Sequence, residues 1–177
     1  MVEGQDYDEL IATMILVKQE IQKFDKEELW EYYLPEIAAS EDAIIRTESL
    51  QGFSIDSNYK AFLKHADGWL RFYQSVDLFG TKELNDSLKM NYANNILNAI
   101  EDSVLDNSGF LRDQLLPIAA TSIDKDLFVI TKPNSLKPGI VIWFAGDEID
   151  RFESFTEFFL AMTDYNREEL KYFKSLK

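Results

Sequence analysis

Apolar residues recur at steps of four and three from the start of the chain. Leu10, Met14, Val17, Ile21 and Phe24 form one stripe, widened by Ile11 and Ile15, and predict an amphipathic helix over 7–24. Its opposite face holds Gln19, Glu20, Gln22 and Lys23. A helix lying on a membrane would carry Lys and Arg there, and two to three heptads are too few for a coiled-coil seam. Packing onto the rest of the chain is therefore expected. A second, short helix is predicted over 26–33, with Trp30, Tyr32 and Tyr33, ending before Pro35. Ser40 reads as an N-cap with Glu41 and Asp42 in the first turn, and Gly52 as the matching stop. Asp56 and Ser57 open another helix through Tyr59, Phe62 and Leu63 that stops near Asp67–Gly68. Residues 83–105 read as helical through Leu84, Leu88, Tyr92, Ile96, Leu97, Ile100 and Val104, with a break near Asn91.

The later part of the chain changes period. Val76–Phe79, Leu115–Ala120, Leu127–Thr131 and Ile140–Ala145 are short, β-rich apolar runs, and Glu148–Phe152 adds a further candidate strand. Ser122–Lys125 and Lys132–Gly139 between them are turns, too short to hold crossover helices, so the pairing should be antiparallel. Phe155, Phe158, Phe159, Met162 and Tyr165 form a closing helical stripe, and the tail from Arg167 to Lys177 is the only locally basic piece. The organisation expected is a helical extension over 1–39 packed on a domain spanning 40–165, followed by a helical tail over 166–177.

Six short motifs, in order, resemble the SUKH superfamily. Ser40-Glu41-Asp42-Ala43-Ile44, with Glu48 and Gly52 behind it, is similar to the opening helix of that superfamily. Ile55-Asp56-Ser57-Asn58-Tyr59-Lys60-Ala61-Phe62-Leu63 matches its signature helix, and Asp67-Gly68-Trp69 falls where it has Asn-Gly-Gly. Leu78-Phe79-Gly80 matches its Leu-Phe-Gly, Asp126 with Leu127–Ile130 its strand after a Gly-Asp turn, and Ser154-Phe155-Thr156-Glu157-Phe158-Phe159 its closing segment. The departures are Asp56 for Pro, Trp69 for the second Gly and Lys125 for the turn Gly. The resemblance covers roughly 40–162. It implies an α+β fold, a curved and largely antiparallel sheet of about five or six strands with helices packed against it. It also implies a protein-binding role. Bacterial members resemble immunity proteins that neutralise a toxin, often a nuclease, and fungal members are cell-wall synthesis regulators, so an immunity protein is the role expected and a cell-wall synthesis or regulatory adaptor the alternative. No shared catalytic set comes with the resemblance.

Composition narrows the chemistry. With 177 residues, 46% hydrophobic, the chain is long enough to bury a core without staples. There is no cysteine, which excludes disulfides, thiolate catalysis and cysteine-ligated metal. His65 is the only histidine, at a predicted helix end where a positive imidazole offsets the dipole; one His without Cys makes a zinc site a poor expectation. Asp147-Glu148-x-Asp150 and Asp124-x-Asp126 lack the spacing of a calcium loop. They read either as solvated turn acids or as a partner-facing patch, with a glycosidase-type acid pair, and hence a carboxylate-dependent hydrolase, as a lesser alternative. No phosphate-binding glycine loop is present. No metal and no cofactor are expected.

Net charge is −14 and unevenly spread, most acidic over residues 1–60. Nucleic acid and anionic membrane are poor partners for such a surface. With no secretory signal visible and no apolar run approaching 18 residues, a soluble cytoplasmic protein is expected. A basic partner, a toxin domain, fits the charge, and occlusion of its cleft by acids that mimic phosphate fits the resemblance. Trp69, Arg71 and Tyr73, in a predicted loop after Gly68, are either core anchors or interface residues, since Trp, Tyr and Arg dominate hot spots. Together with Asp124, Asp126, Asp147, Glu148 and Asp150 they are the candidate partner-binding residues.

Overall fold

The structure is a computed structural model describing residues 6–85 and 87–176. Helix α1 spans Tyr7–Phe24, and Asp6 caps it by accepting from Asp8 N. Helices α2 (Glu41–Gln51) and α3 (Ser57–Leu63) follow, capped by Ser40 and by Asp56, with Gly52 in the left-handed conformation closing α2 as its position predicts. Strands β1 (Trp69–Tyr73) and β2 (Val76–Leu78) form a hairpin. Three helices, α4 (Thr81–Leu84), α5 (Leu88–Ala99) and α6 (Asp102–Ser108), then lead to β3 (Leu115–Ala120). Strands β4 (Leu127–Thr131), β5 (Val141–Ala145) and β6 (Asp147–Phe152) complete the sheet, and α7 (Phe155–Ser175) ends the chain.

The six strands lie in the order β1-β2-β3-β4-β5-β6, every neighbour antiparallel, as short turns require. This is an α+β fold with an N-terminal helix. Each residue of β3 and β4 is buried, so both faces of the sheet are covered. On one face α7 lays down Phe155, Phe158, Phe159 and Met162, all fully buried. Phe158 meets Phe72, Phe128 and Phe152 across the sheet. Tyr59 stacks on Phe155 at 4.8 Å, and Phe62 packs against Phe155 and Phe159. The opposite face is covered by α5, through the buried Met90, Ala93 and Leu97. Helix α1 runs along α7, and Tyr7 reaches Phe62, Phe155 and Phe159.

The motifs 67–69 and 78–80 meet at the start of the sheet. Gly68 has φ +94°, and a Cβ there would stand 2.6 Å from Gly80 N. A Cβ on Gly80 would stand 2.0 Å from Asp67 O. The Asp67 carboxylate accepts from both the backbone N and the hydroxyl of Thr81, at 2.6 and 2.7 Å. Tyr59 OH donates to Phe79 O at 2.6 Å. This junction sets where β1, β2 and α4 diverge.

Several expectations are corrected. Residues 26–33 are not helical: Asp25 caps the chain by accepting from Leu29 N, Trp30 N and Tyr32 OH, and Glu28 takes φ +53°. Residues 31–37 instead run as a strap beside β1, where Tyr33 O accepts from Trp69 and Glu36 N donates to Gly68 O. Residues 69–73 are strand rather than loop. The helical stretch expected over 83–105 is divided among α4, α5 and α6, with breaks after Leu84 and at Ile100–Glu101 rather than near Asn91; Asp86 lies outside the described residues. Ser87 caps α5 through Met90 N, and Ile100 is extended at ψ 131°. The tail from 166 is the continuation of α7.

Phe62 has no exposed surface and sits between α1 and α7. Phe62→Ala should lower unfolding free energy by about 3–5 kcal/mol, read from urea midpoints at unchanged m-value. A loss below about 1 kcal/mol would contradict the packing of α3 described above.

Candidate binding surface

Strand β1 divides its candidate residues between different environments. Trp69 is 1% exposed, its indole donating to Tyr33 O at 2.9 Å and its ring facing Phe159. It anchors the core and presents no side chain for a partner. Arg71 has φ +53°, a left-handed backbone uncommon for a residue other than Gly. Its backbone N and its Nη1 both donate to Asp77 Oδ1, at 2.8 and 3.0 Å, while Lys89 Nζ lies 3.1 Å from Oδ2. Asp77 is only 6% exposed, so this carboxylate sits at the base of a cleft of about 260 Å³ with two cations compensating it. Gln74, at φ +50°, turns the hairpin towards β2.

Tyr73 belongs to a different group. Its ring meets Trp143 edge-on at 6.0 Å and Tyr165 at 6.1 Å, and Trp143 meets Tyr165 at 5.1 Å. Each ring carries a polar handle that needs a partner when partly buried. Trp143 Nε1 donates to Asp126 Oδ1 at 2.9 Å, and Tyr165 OH donates to Asp150 Oδ2 at 2.7 Å. Glu169 accepts from Gln74 Nε2 and from Trp30 Nε1, at 2.8 and 2.7 Å, closing the third side. Tyr73, Tyr165, Asp126, Asp150 and Glu169 are all partly exposed. The surface thus combines two partly exposed tyrosine rings, packed on the buried Trp143, with three carboxylates, drawn from β1, β5, β6, α7 and the residue just before β4.

The remaining candidates lie elsewhere. Asp124 is in the exposed turn before β4, accepting from Lys125 N at 2.8 Å. Alternation along β6 would put Glu148 and Asp150 on one face. A bulge leaves Ile149 unpaired, so Glu148 opposes Phe144 while Asp150 opposes Trp143. Asp150 therefore joins the α7 face. Glu148 instead pairs with Arg151, whose guanidinium also donates to Ser108 O at the end of α6. Asp147 lines an open groove with Lys125 and residues of α5 and α6. Neither Trp143 nor Glu169 was a sequence candidate. The signal for Trp143 is the β4–β5 register, which seats it opposite Phe128, two residues from Asp126.

Burial pushes Tyr73 up to about 12, with the charges of Glu169 and Asp126 adding. Burial also pushes Tyr165 up to about 12, reinforced by the Asp150 hydrogen bond and charge. Asp126 is raised as well, chiefly by burial; the indole hydrogen bond opposes this and the nearby Asp124 charge adds to it.

These motifs and this sheet place the chain among known proteins. A model of the SMI1 / KNR4 family (SUKH-1) matches residues 38–161. The chain belongs to the SMI1 / KNR4 family. The matched segment begins ahead of α2 and ends within α7, so the SUKH-1 match takes in the whole sheet, while α1 precedes it. A solved structure described as a protein from Pseudomonas syringae pv. tomato is 17% identical, with 80% of this chain and 93% of that chain covered and a TM-score of 0.44. No curated protein matches the chain. No helix among the described residues is long and apolar enough to cross a membrane.

The raised tyrosines fix a pH window. In the folded state Tyr73 and Tyr165 hold protons that the unfolded chain releases above about pH 10. Their contribution to stability is whole below pH 10 and is lost as pH rises to about 12, so urea midpoints should fall across that interval. Asp150→Asn should bring the Tyr165 titration part of the way back down, read by NMR of ring-labelled tyrosine, and leave Tyr73 in place. An unmoved Tyr165 would contradict its coupling to Asp150.

Proposed function

We propose that this protein is an immunity-type binding protein that neutralises a basic toxin domain of the nuclease class, and that it does so with the Tyr73–Trp143–Tyr165 surface. The observation that carries the reading is the union of the partly exposed Tyr73 and Tyr165 rings, seated on the buried Trp143, with Asp126, Asp150 and Glu169 on one face. Such a surface receives Lys and Arg side chains: ring faces attract the cation, and carboxylates accept its hydrogen bonds. The two tyrosines supply a large, stiff contact area of the kind that dominates binding energy, and Trp143 stiffens them from below. The internal hydrogen bonds hold the rings and acids in position before a partner arrives, which reduces the ordering cost of association. The immunity role implied by the SUKH resemblance supplies the toxin class, and a nuclease cleft built for phosphate is a natural target for paired carboxylates. The net charge of −14 supplies long-range attraction.

The test looks for a toxin gene immediately upstream of this one, takes its product as the candidate partner and measures association by surface plasmon resonance at low and high salt. The on-rate should fall steeply with salt, since opposite fields raise association by about 10–10³-fold at low ionic strength. Asp126→Asn should slow association, and Tyr165→Ala should speed dissociation. Neutralising Asp147 and Glu148, which lie on the other side of β6, should leave dissociation unchanged. A salt-independent on-rate would overturn steering. A complex indifferent to Tyr165→Ala and Asp126→Asn would overturn this surface as the binding face.

A further inference from the structure

Leu70 and Arg71 are consecutive on β1, and consecutive side chains of a regular strand point to opposite faces. Here both line the cleft that ends on Asp77. The left-handed backbone at Arg71, φ +53°, breaks the alternation and turns the guanidinium back into the cleft. A residue with a Cβ is strained in that conformation, and such strain collects at ligand sites. Asp77, buried between Arg71 and Lys89, is a second departure. A buried charge cluster is no more stable than an apolar one of similar volume, so stability alone does not call for it.

The cleft holds about 260 Å³. Leu70, Phe79 and Ala120 give it apolar walls, and Tyr33 of the strap and Tyr92 of α5, each nearly half exposed, give it two rings. Its base is rich in donors. Arg71 Nη1 is taken by Asp77 and by Ser75 O, but Nη2 donates to nothing among the described residues. Lys89 Nζ meets only Asp77 Oδ2 among the described residues and keeps two further N–H groups. Glu31 stands beside them with the opposite sign. Its Oε2 accepts from Tyr33 OH at 2.8 Å and lies 3.8 Å from Arg71 Nε, too far for a hydrogen bond. A carboxylate and a guanidinium, both with hydrogen-bonding capacity to spare, are thus neighbours in one cleft without being joined.

We propose that this cleft binds a free α-amino acid with an apolar or aromatic side chain. Such a molecule carries its carboxylate and its ammonium on one carbon, and the cleft sets cationic donors and a carboxylate comparably close together. Arg71 and Lys89 take the carboxylate, Glu31 takes the ammonium, and the side chain lies against Tyr33 and Tyr92. A lone anion would meet the charge of Glu31, and a lone cation those of Arg71 and Lys89, so either charge by itself is disfavoured. The volume is below the roughly 300–1,000 Å³ of pockets for drug-sized ligands, which selects a single amino acid over a longer peptide or a nucleotide. The site uses none of the residues of the aromatic–acidic surface, so the two stand or fall separately.

The experiment follows the Arg71 Nε–H and the amide N–H resonances of Tyr33, Lys89 and Ser122 in the full chain during titration with L-phenylalanine and L-leucine. N-acetyl-L-phenylalanine supplies the anion alone and L-phenylalaninamide the cation alone, at a mildly acidic pH that keeps the amines protonated. Saturable shifts are expected for the free amino acids. Both capped forms should bind at least about tenfold more weakly, the effect of losing one charged hydrogen bond. Glu31→Gln, at an exposed position of the strap, should remove the preference for the free amino acid over its N-acetyl form. Arg71→Gly should abolish the response, since Gly takes a positive φ without strain and only the guanidinium is lost. Equal binding of free and capped forms, a preference that survives Glu31→Gln, or no response to either amino acid would overturn the proposal. The wild-type comparison and Glu31→Gln decide the matter even if Arg71→Gly fails to fold.

Discussion

The close approach of Gly68 and Gly80 is the constraint on which the rest of the molecule depends. Two backbones pass within a distance that no side chain can occupy, and Asp67 binds Thr81 across the gap. That contact fixes the hairpin of β1 and β2 relative to α3, because Tyr59 reaches Phe79 from the same junction. From there the strands add in sequence, and α4 leaves toward the face that α5 will cover. The path of β1, and hence the aim of Arg71 and Tyr73, is inherited from this junction. Asn166, donating to Phe72 O at 3.1 Å, fixes the same strand from the α7 side.

Much of the fold was legible because local chemistry and tertiary need agree. Ser40 and Gly52 bound α2 as their residue types predict, and the short turns between β3, β4, β5 and β6 dictate antiparallel pairing. Tyr59, Phe62, Leu63, Phe155, Phe158 and Phe159 are all fully buried, as the helical stripes demand. The errors come where side chains override propensity. Nothing in 26–33 forbids a helix; Asp25 captures its amides from outside the segment and bends the chain away. The aromatic run of 69–73 reads as loop after Gly68, but the turn at Gln74 folds it back on β2 and that pairing makes it strand.

The candidate surface was half legible. Residue type flagged Tyr73, Asp126 and Asp150 from separate parts of the chain, and the fold brings those three together. Sequence could not separate them from Trp69, Arg71, Asp124, Asp147 and Glu148, because that division rests on burial, on a left-handed backbone and on a bulge. Trp143 and Glu169 enter only through pairing register and helix docking, which are properties of the assembled sheet. Aromatic residues in a strand and acids in a helix are too common to stand out alone.

The bulge at Ile149 gives β6 a freedom that a regular strand lacks. Upstream of it, outward acids belong to the face shared with α6; downstream they belong to the face shared with α7. In a continuous pleat, changing the length of the strand by one residue would invert every position and expel Phe152 from the core. Here the unpaired residue absorbs the phase. Loss of Ile149 would leave Glu148 opposite Phe144 and Asp150 opposite Trp143, so Phe152 and the aromatic rings stay where they are. The strand is in this sense a tolerant joint: it can shed a residue at this one point without changing the face that either flank presents.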